Sequence, residues 1–135
     1  MMGRSAVLYA PGISKNTKRL ADYIAKRTDS DIFNLKEFTL INVSEYDKLV
    51  FGTAVLLGKP QKPLVEFLEK NKDNFNGKKL YLFLDGVGDD EKGEKLRDSI
   101  AESLGIHDAV SFGKKSEEMN DAGFPAAVDD YIARL

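Results

Sequence analysis

Two apolar runs, Leu49-Val50-Phe51 and Leu80-Tyr81-Leu82-Phe83-Leu84, show none of the polar alternation of a half-exposed strand. Runs of this kind belong to strands covered on both faces. With their flanks they predict strands over Lys48–Thr53 and Lys79–Asp85, and three further strand patterns fall at Ser5–Ala10, Asp31–Leu35 and Ala109–Phe112. Helical patterns occupy Asn16–Arg27, Lys62–Lys72, Asp90–Leu104 and Pro125–Arg134. Leu96, Ile100 and Leu104 lie four apart on one face, and Gly105 is well placed to end that helix. Pro125 suits a first helical turn, with Val128 and Ile132 on the buried stripe. Strands alternating with helices predict an α/β fold: a parallel sheet, right-handed crossovers and helices on both faces.

The 135 residues suit one domain spanning 1–135, with no internal repeat, low-complexity segment or linker. A formal net charge of −2 provides no basic field to hold DNA or RNA, so no nucleic-acid partner is expected. The chain has no Cys, which removes disulfides, thiolate nucleophiles and Cys-ligated metals and suits a reducing cytoplasm. The first strand pattern begins at Ser5, leaving no room for a leader, and no apolar run approaches the about 20 residues of a membrane span. The expectation is a cytoplasmic protein without a membrane span, monomeric by default.

A parallel sheet of this kind binds ligands beyond the carboxyl ends of its strands, where the strand order reverses. Three loops fall on that edge: Pro11–Asn16, Ala54–Lys59 and Gly86–Asp90, each with Gly or Pro and small polar groups. Short connections in any such fold can look like this, but three on one edge tell more. The first is the most informative. Tyr9-Ala10-Pro11-Gly12-Ile13-Ser14-Lys15-Asn16-Thr17 passes from a strand directly into a helix. The first helical N–H groups are unpaired and the helix dipole is positive there, so hydroxyls and an amide at this point make an anion seat, and a phosphate is the expected anion.

In this order of elements the loops resemble those of the flavodoxin family, and the resemblance covers nearly the whole chain. Ser14-Lys15-Asn16-Thr17 is similar to the Thr-Gly-Asn-Thr end of that family's phosphate loop, with one substitution. The segment from Tyr46 to Pro60, Tyr-Asp-Lys-Leu-Val-Phe-Gly-Thr-Ala-Val-Leu-Leu-Gly-Lys-Pro, resembles the family's third-strand pattern Tyr-Asp-x-apolar-Gly-Ser-Pro-Val-Tyr-x-Gly-Lys-Pro. Gly86-Val87-Gly88-Asp89 is similar to its Gly-x-Gly-Asp. The short length resembles the compact flavodoxin-domain proteins, including the protoporphyrinogen-oxidase-like branch. The resemblance implies a three-layer α/β/α sandwich with a five-stranded parallel sheet in the order 2-1-3-4-5. It also implies FMN as cofactor, and transfer of electrons between redox partner proteins rather than a substrate-specific reaction. The residues it brings to FMN are Pro11, Gly12, Ile13, Ser14, Lys15, Asn16 and Thr17 from the first loop; Thr53, Ala54, Val55, Leu56 and Gly58 from the second; and Asp85, Gly86, Gly88 and Asp89 from the third.

Two departures bear on function. Lys15 stands where the family has Gly. If that Gly takes a positive φ, Lys carries a steric cost there; alternatively its ammonium offsets the charge of a dianionic phosphate. Leu56 stands where the family stacks a Tyr or Trp on the flavin, and Asp89-Asp90-Glu91-Lys92-Gly93 supplies no second ring. A missing stack costs roughly 0.5–1.5 kcal/mol, or up to about tenfold in affinity, and implies a less negative potential for the fully reduced flavin than an ordinary flavodoxin has. The alternative is a binding or regulatory domain on the same fold that has lost or weakened its hold on FMN.

Asp85, Asp89 and Asp90 fall on the loop expected beside the pyrimidine edge, where their charge would disfavour a reduced anion, although Asp89 and Asp90 also suit capping of the following helix. Leu56 and Leu57 are an unusual apolar pair for a loop, suited to seating the ring or docking a partner. Tyr9 and Tyr81 read as packing residues, the lone His107 has no evident catalytic partner, and Lys59, Lys62, Lys114 and Lys115 read as solvated. A phospho-receiver site would need an acidic pair after the first strand and an Asp after the third, where Tyr9-Ala10 and Gly52-Thr53 stand. A low-mass tyrosine phosphatase needs a Cys, and dinucleotide or Walker-type loops need glycine patterns that Pro11–Asn16 does not supply.

Overall fold

In the computed structural model, residues 4–13, 15–38, 40–88, 90–112, 124 and 126–135 are described. The chain runs β1 (Ser5–Ala10), α1 (Asn16–Thr28), β2 (Asp31–Asn34), β3 (Lys48–Leu56), β4 (Lys59–Pro60), α2 (Lys62–Asn71), β5 (Lys79–Asp85), α3 (Glu91–Leu104), β6 (Asp108–Phe112) and α4 (Ala126–Arg134). Short 3-10 turns at Val43–Glu45 and Lys72–Asn74 complete it. The main sheet is parallel in the order β2-β1-β3-β5-β6, which is the expected 2-1-3-4-5 once the short β4 is counted.

The departures from sequence expectation are local. β3 runs three residues past Thr53, because Val55 and Leu56 pair antiparallel with Pro60 and Lys59. The predicted loop Ala54–Lys59 is thus largely a hairpin. The last helix begins at Ala126; its expected first residue, Pro125, lies outside the described residues, as do Lys114 and Lys115. Gly105 ends α3 with φ 74°, its N–H returning to the helix carbonyls.

Both faces of the sheet are covered, which is why its central strands carry no polar alternation. On one face Leu49, Phe51, Leu82 and Leu84 pack against Leu64, Phe67 and Leu68 of α2 and Ile100 of α3. On the other, Val50 and Phe83 pack against Leu20, Ala21 and Ile24 of α1 and Val128 and Tyr131 of α4. Gly52 permits this second packing: a Cβ there would fall 2.0 Å from the Phe83 ring. The amino edge is fastened by polar contacts. The Tyr46 hydroxyl donates to Asp31 at 2.6 Å, and Arg4 reaches Asp31 at 2.9 Å and Glu45 at 3.3 Å while lying over the Tyr46 ring.

Gly52→Ala should cost about 2–3 kcal/mol in urea unfolding, because the Phe83 ring has to move. Burial first, then the bond to Asp31, pushes the Tyr46 phenol up to about 12. A pKa raised by folding stabilises fully below the unfolded value of about 10, and that stability is lost as pH rises through the folded value. Unfolding free energy should therefore fall more steeply between about pH 10 and 12 in the wild type than in Tyr46→Phe.

Candidate functional site

The carboxyl edge gathers the three predicted loops. β1 and β3 are adjacent there, while the chain leaves them in opposite directions, α1 crossing back to β2 and α2 crossing on to β5. The first loop lies close over β3, since a Cβ on Gly12 would sit 2.8 Å from the Ala54 Cβ. Pro11 and Gly12 are half-buried, whereas Ile13 is 94% exposed. Lys15 and Asn16 are exposed at the start of α1, and Thr17 is fully buried. Ser14 and Asp89 lie outside the described residues.

Lys15 has φ −87° and ψ 4°, so the steric cost that a positive φ would bring does not arise. It is the N-cap residue of α1 yet supplies no side-chain cap, and the first turn holds no acidic residue. α3 begins the opposite way. The Gly93 N–H donates to Asp90 at 2.8 Å, and Glu91 and Glu94 follow in the first turn. Asp90 is thus the cap that its position suggested. α2 also lacks a side-chain cap, but its first turn contains Pro63 and has one donor fewer.

In the second loop the Thr53 hydroxyl is fully buried, donating to the Ala54 carbonyl at 2.9 Å and accepting from the Gln61 N–H at 2.9 Å. It holds α2 to the end of β3. Ala54 and Val55 are half-buried, and Gly58 is exposed. The hairpin turns through Leu57 and Gly58, with φ 53° and 77°. Positive φ at both central residues is the type I′ pattern of two-residue hairpins, for which Asn-Gly is the favoured pair. Leucine there is strained by about 1–2 kcal/mol. Leu57 is also 93% exposed and Leu56 54% exposed, so burial does not offset that strain.

In the third loop, Gly86 and Gly88 are exposed and the Gly86 N–H donates to the Phe112 carbonyl at 3.1 Å. Asp85 is half-buried, and its carboxylate accepts a 2.8 Å hydrogen bond from the Thr17 hydroxyl. The root of the first loop is thereby tied to that of the third, through Thr17 and Asp85. This contact was not anticipated, although its signal is in the strand period: Tyr81, Phe83 and Asp85 alternate onto the α1 face. His107 precedes β6 and so lies toward the amino edge, opposite the site. Burial raises the Tyr9 phenol above its ordinary range, which keeps it neutral and fits packing. Among the described residues no His, Asp or Glu cluster could hold a metal, and no helix is long and apolar enough to cross a membrane.

The flavodoxin domain family matches residues 15–113, well over half of the chain. The chain belongs to the flavodoxin domain family. An uncharacterized protein of Methanocaldococcus jannaschii is 32% identical over 81 residues, 59% of this chain and 52% of that protein, so the chain spans about half that relative's length. Among solved structures, the flavodoxin WrbA-like protein of Agrobacterium tumefaciens aligns with a TM-score of 0.70 at 15% identity, covering 99% of this chain and 95% of that one. Oxidised Flavodoxin 2 of Bacillus cereus gives 0.70 at 16%, covering 96% and 95%. A Fusobacterium nucleatum flavodoxin bound to flavin mononucleotide gives 0.61 at 16%, covering 97% and 96%. At these identities the likeness is one of fold.

This flavodoxin domain keeps a strained leucine at the tip of an exposed hairpin, where a turn asparagine would be stable. Leu57→Asn should raise stability by about 0.5–1 kcal/mol in thermal or urea unfolding. An unchanged or lower stability would remove the case for strain.

Proposed function

We propose that this domain binds FMN at the carboxyl edge of its sheet and passes electrons between redox partner proteins in the cytoplasm. The observation that carries the reading is the start of α1. It is a helix N-terminus at the strand-order reversal, with no side-chain cap from its N-cap residue and no acidic residue in its first turn. In a flavodoxin domain, that is where a phosphate monoester fits. The donor set suits it: Ser14, Asn16, backbone N–H groups and the exposed Lys15 ammonium, which at unstrained φ is free to offset dianionic charge.

The ring end has a different character. Ile13, Leu56 and Leu57 form exposed apolar lips on the first and second loops, in place of aromatic plates. They can cover a flavin against water and leave an apolar rim for a partner, at the cost of stacking energy. When bound, the flavin supplies the one- and two-electron chemistry, and the protein supplies grip, burial and tuning of potential. No acid, base or nucleophile of the chain is required. A flavin-free binding domain is the second reading, favoured by the absence of a ring at Leu56.

Fluorescence titration of the purified chain with FMN separates the two, with micromolar or tighter binding expected and no uptake supporting the second reading. Ser14→Ala and Asn16→Ala should weaken FMN by about tenfold or more while changing riboflavin little. Equal losses for both ligands would overturn the phosphate assignment.

A further inference from the structure

Alternation along β5 turns Asp85 toward the α1 face, and β3 beside it narrows there from Val50 to Gly52 and Ala54. With little side chain in the way, the carboxylate of Asp85, which lies level with Ala54 of β3, reaches the Thr17 hydroxyl. Thr17 is the second residue of α1, fully buried. The first turn of that helix has no acidic residue of its own. The carboxylate at its positive end therefore comes from another strand, 68 positions along the chain.

We infer that Asp85 is a positioning residue that competes with the cofactor's phosphate for the amino end of α1, and so sets how strongly the domain prefers a phosphorylated flavin over an unphosphorylated one. This inference rests on reading the site as an FMN seat. Two effects act in the same direction. A hydroxyl has one proton, and while Thr17 gives it to Asp85 it cannot give it to a phosphate. Like charges close together in a partly dry site oppose each other, a dianion more than a monoanion and a neutral ring not at all. Lys15 at the N-cap position provides the opposite charge, so the affinity for phosphate reflects a balance between this ammonium and that carboxylate. A carboxylate acting only as a tie between β5 and α1 predicts the reverse. Its removal would loosen the loops and weaken both flavins alike.

The test is titration of the full chain with FMN and with riboflavin, followed by flavin fluorescence, in the wild type, Asp85→Asn and Asp85→Glu. Asparagine keeps a carbonyl oxygen for the Thr17 hydroxyl and drops the charge. It should tighten FMN by about tenfold or more and leave riboflavin within about twofold. Glutamate keeps the charge and should leave FMN no tighter than wild type. Asp85→Ser provides a second neutral variant should the asparagine form fail to fold by circular dichroism, with the same expectation. A folded neutral variant whose FMN-to-riboflavin preference is unchanged or reduced overturns the inference while leaving the FMN reading intact. A folded wild type that takes up neither flavin defeats that reading and the inference with it.

Discussion

The parallel pairing of β1 with β3 is the constraint on which the rest of the molecule depends. It places Ser5–Ala10 beside Lys48–Thr53 in register, so both strands end on one edge. The chain must then leave that edge through crossovers on opposite faces, and the helices that provide them bury both sides of the sheet. Nothing polar has room in the middle of such a sheet. Chemistry is left to the edge, where backbone N–H groups and loop side chains remain available.

The two ends of the sheet are closed in different ways. The amino edge is closed by a charged and aromatic cluster of Arg4, Asp31, Glu45 and Tyr46. The ties at the carboxyl edge include those of two fully buried hydroxyls, Thr53 with Gln61 and Thr17 with Asp85. These fix the loop roots while Ile13, Lys15, Asn16, Leu56 and Leu57 stay exposed. Rigid roots beneath exposed tips are what a binding edge needs, because the roots set position and the tips make contact. The strained turn at Leu57 fits the same division, since an exposed leucine there does nothing for the fold.

Much of the fold was legible because its signals are local. Unbroken apolar runs, four-residue spacing in α3 and the glycine after Leu104 each report on a few neighbouring residues. The loop proposed to seat a phosphate could be singled out for the same reason, as a strand end, a polar turn and a helix start in one short stretch. The hairpin at β4 was less so, because Leu57-Gly58 is a poor type I′ sequence and its turn chemistry gives no warning. Lys15 was open for a related reason: whether lysine is strained depends on a φ that its own identity does not determine.

The amino-acid sequence by itself determined the α/β class, the order of the elements, the edge on which the loops gather and the loop most suited to an anion. These follow from periodicity and from the unpaired N–H groups at a helix start, which are properties of short segments. Only the tertiary structure decided that Thr17 gives its proton to Asp85, that Thr53 serves the root of α2, and that Leu57 bends through a left-handed turn. The first of these depends on side chains brought together across the sheet, and in particular on small residues at Gly52 and Ala54 that let β5 reach α1. Distance along the chain carries no record of that proximity, and the packing of the layers creates it.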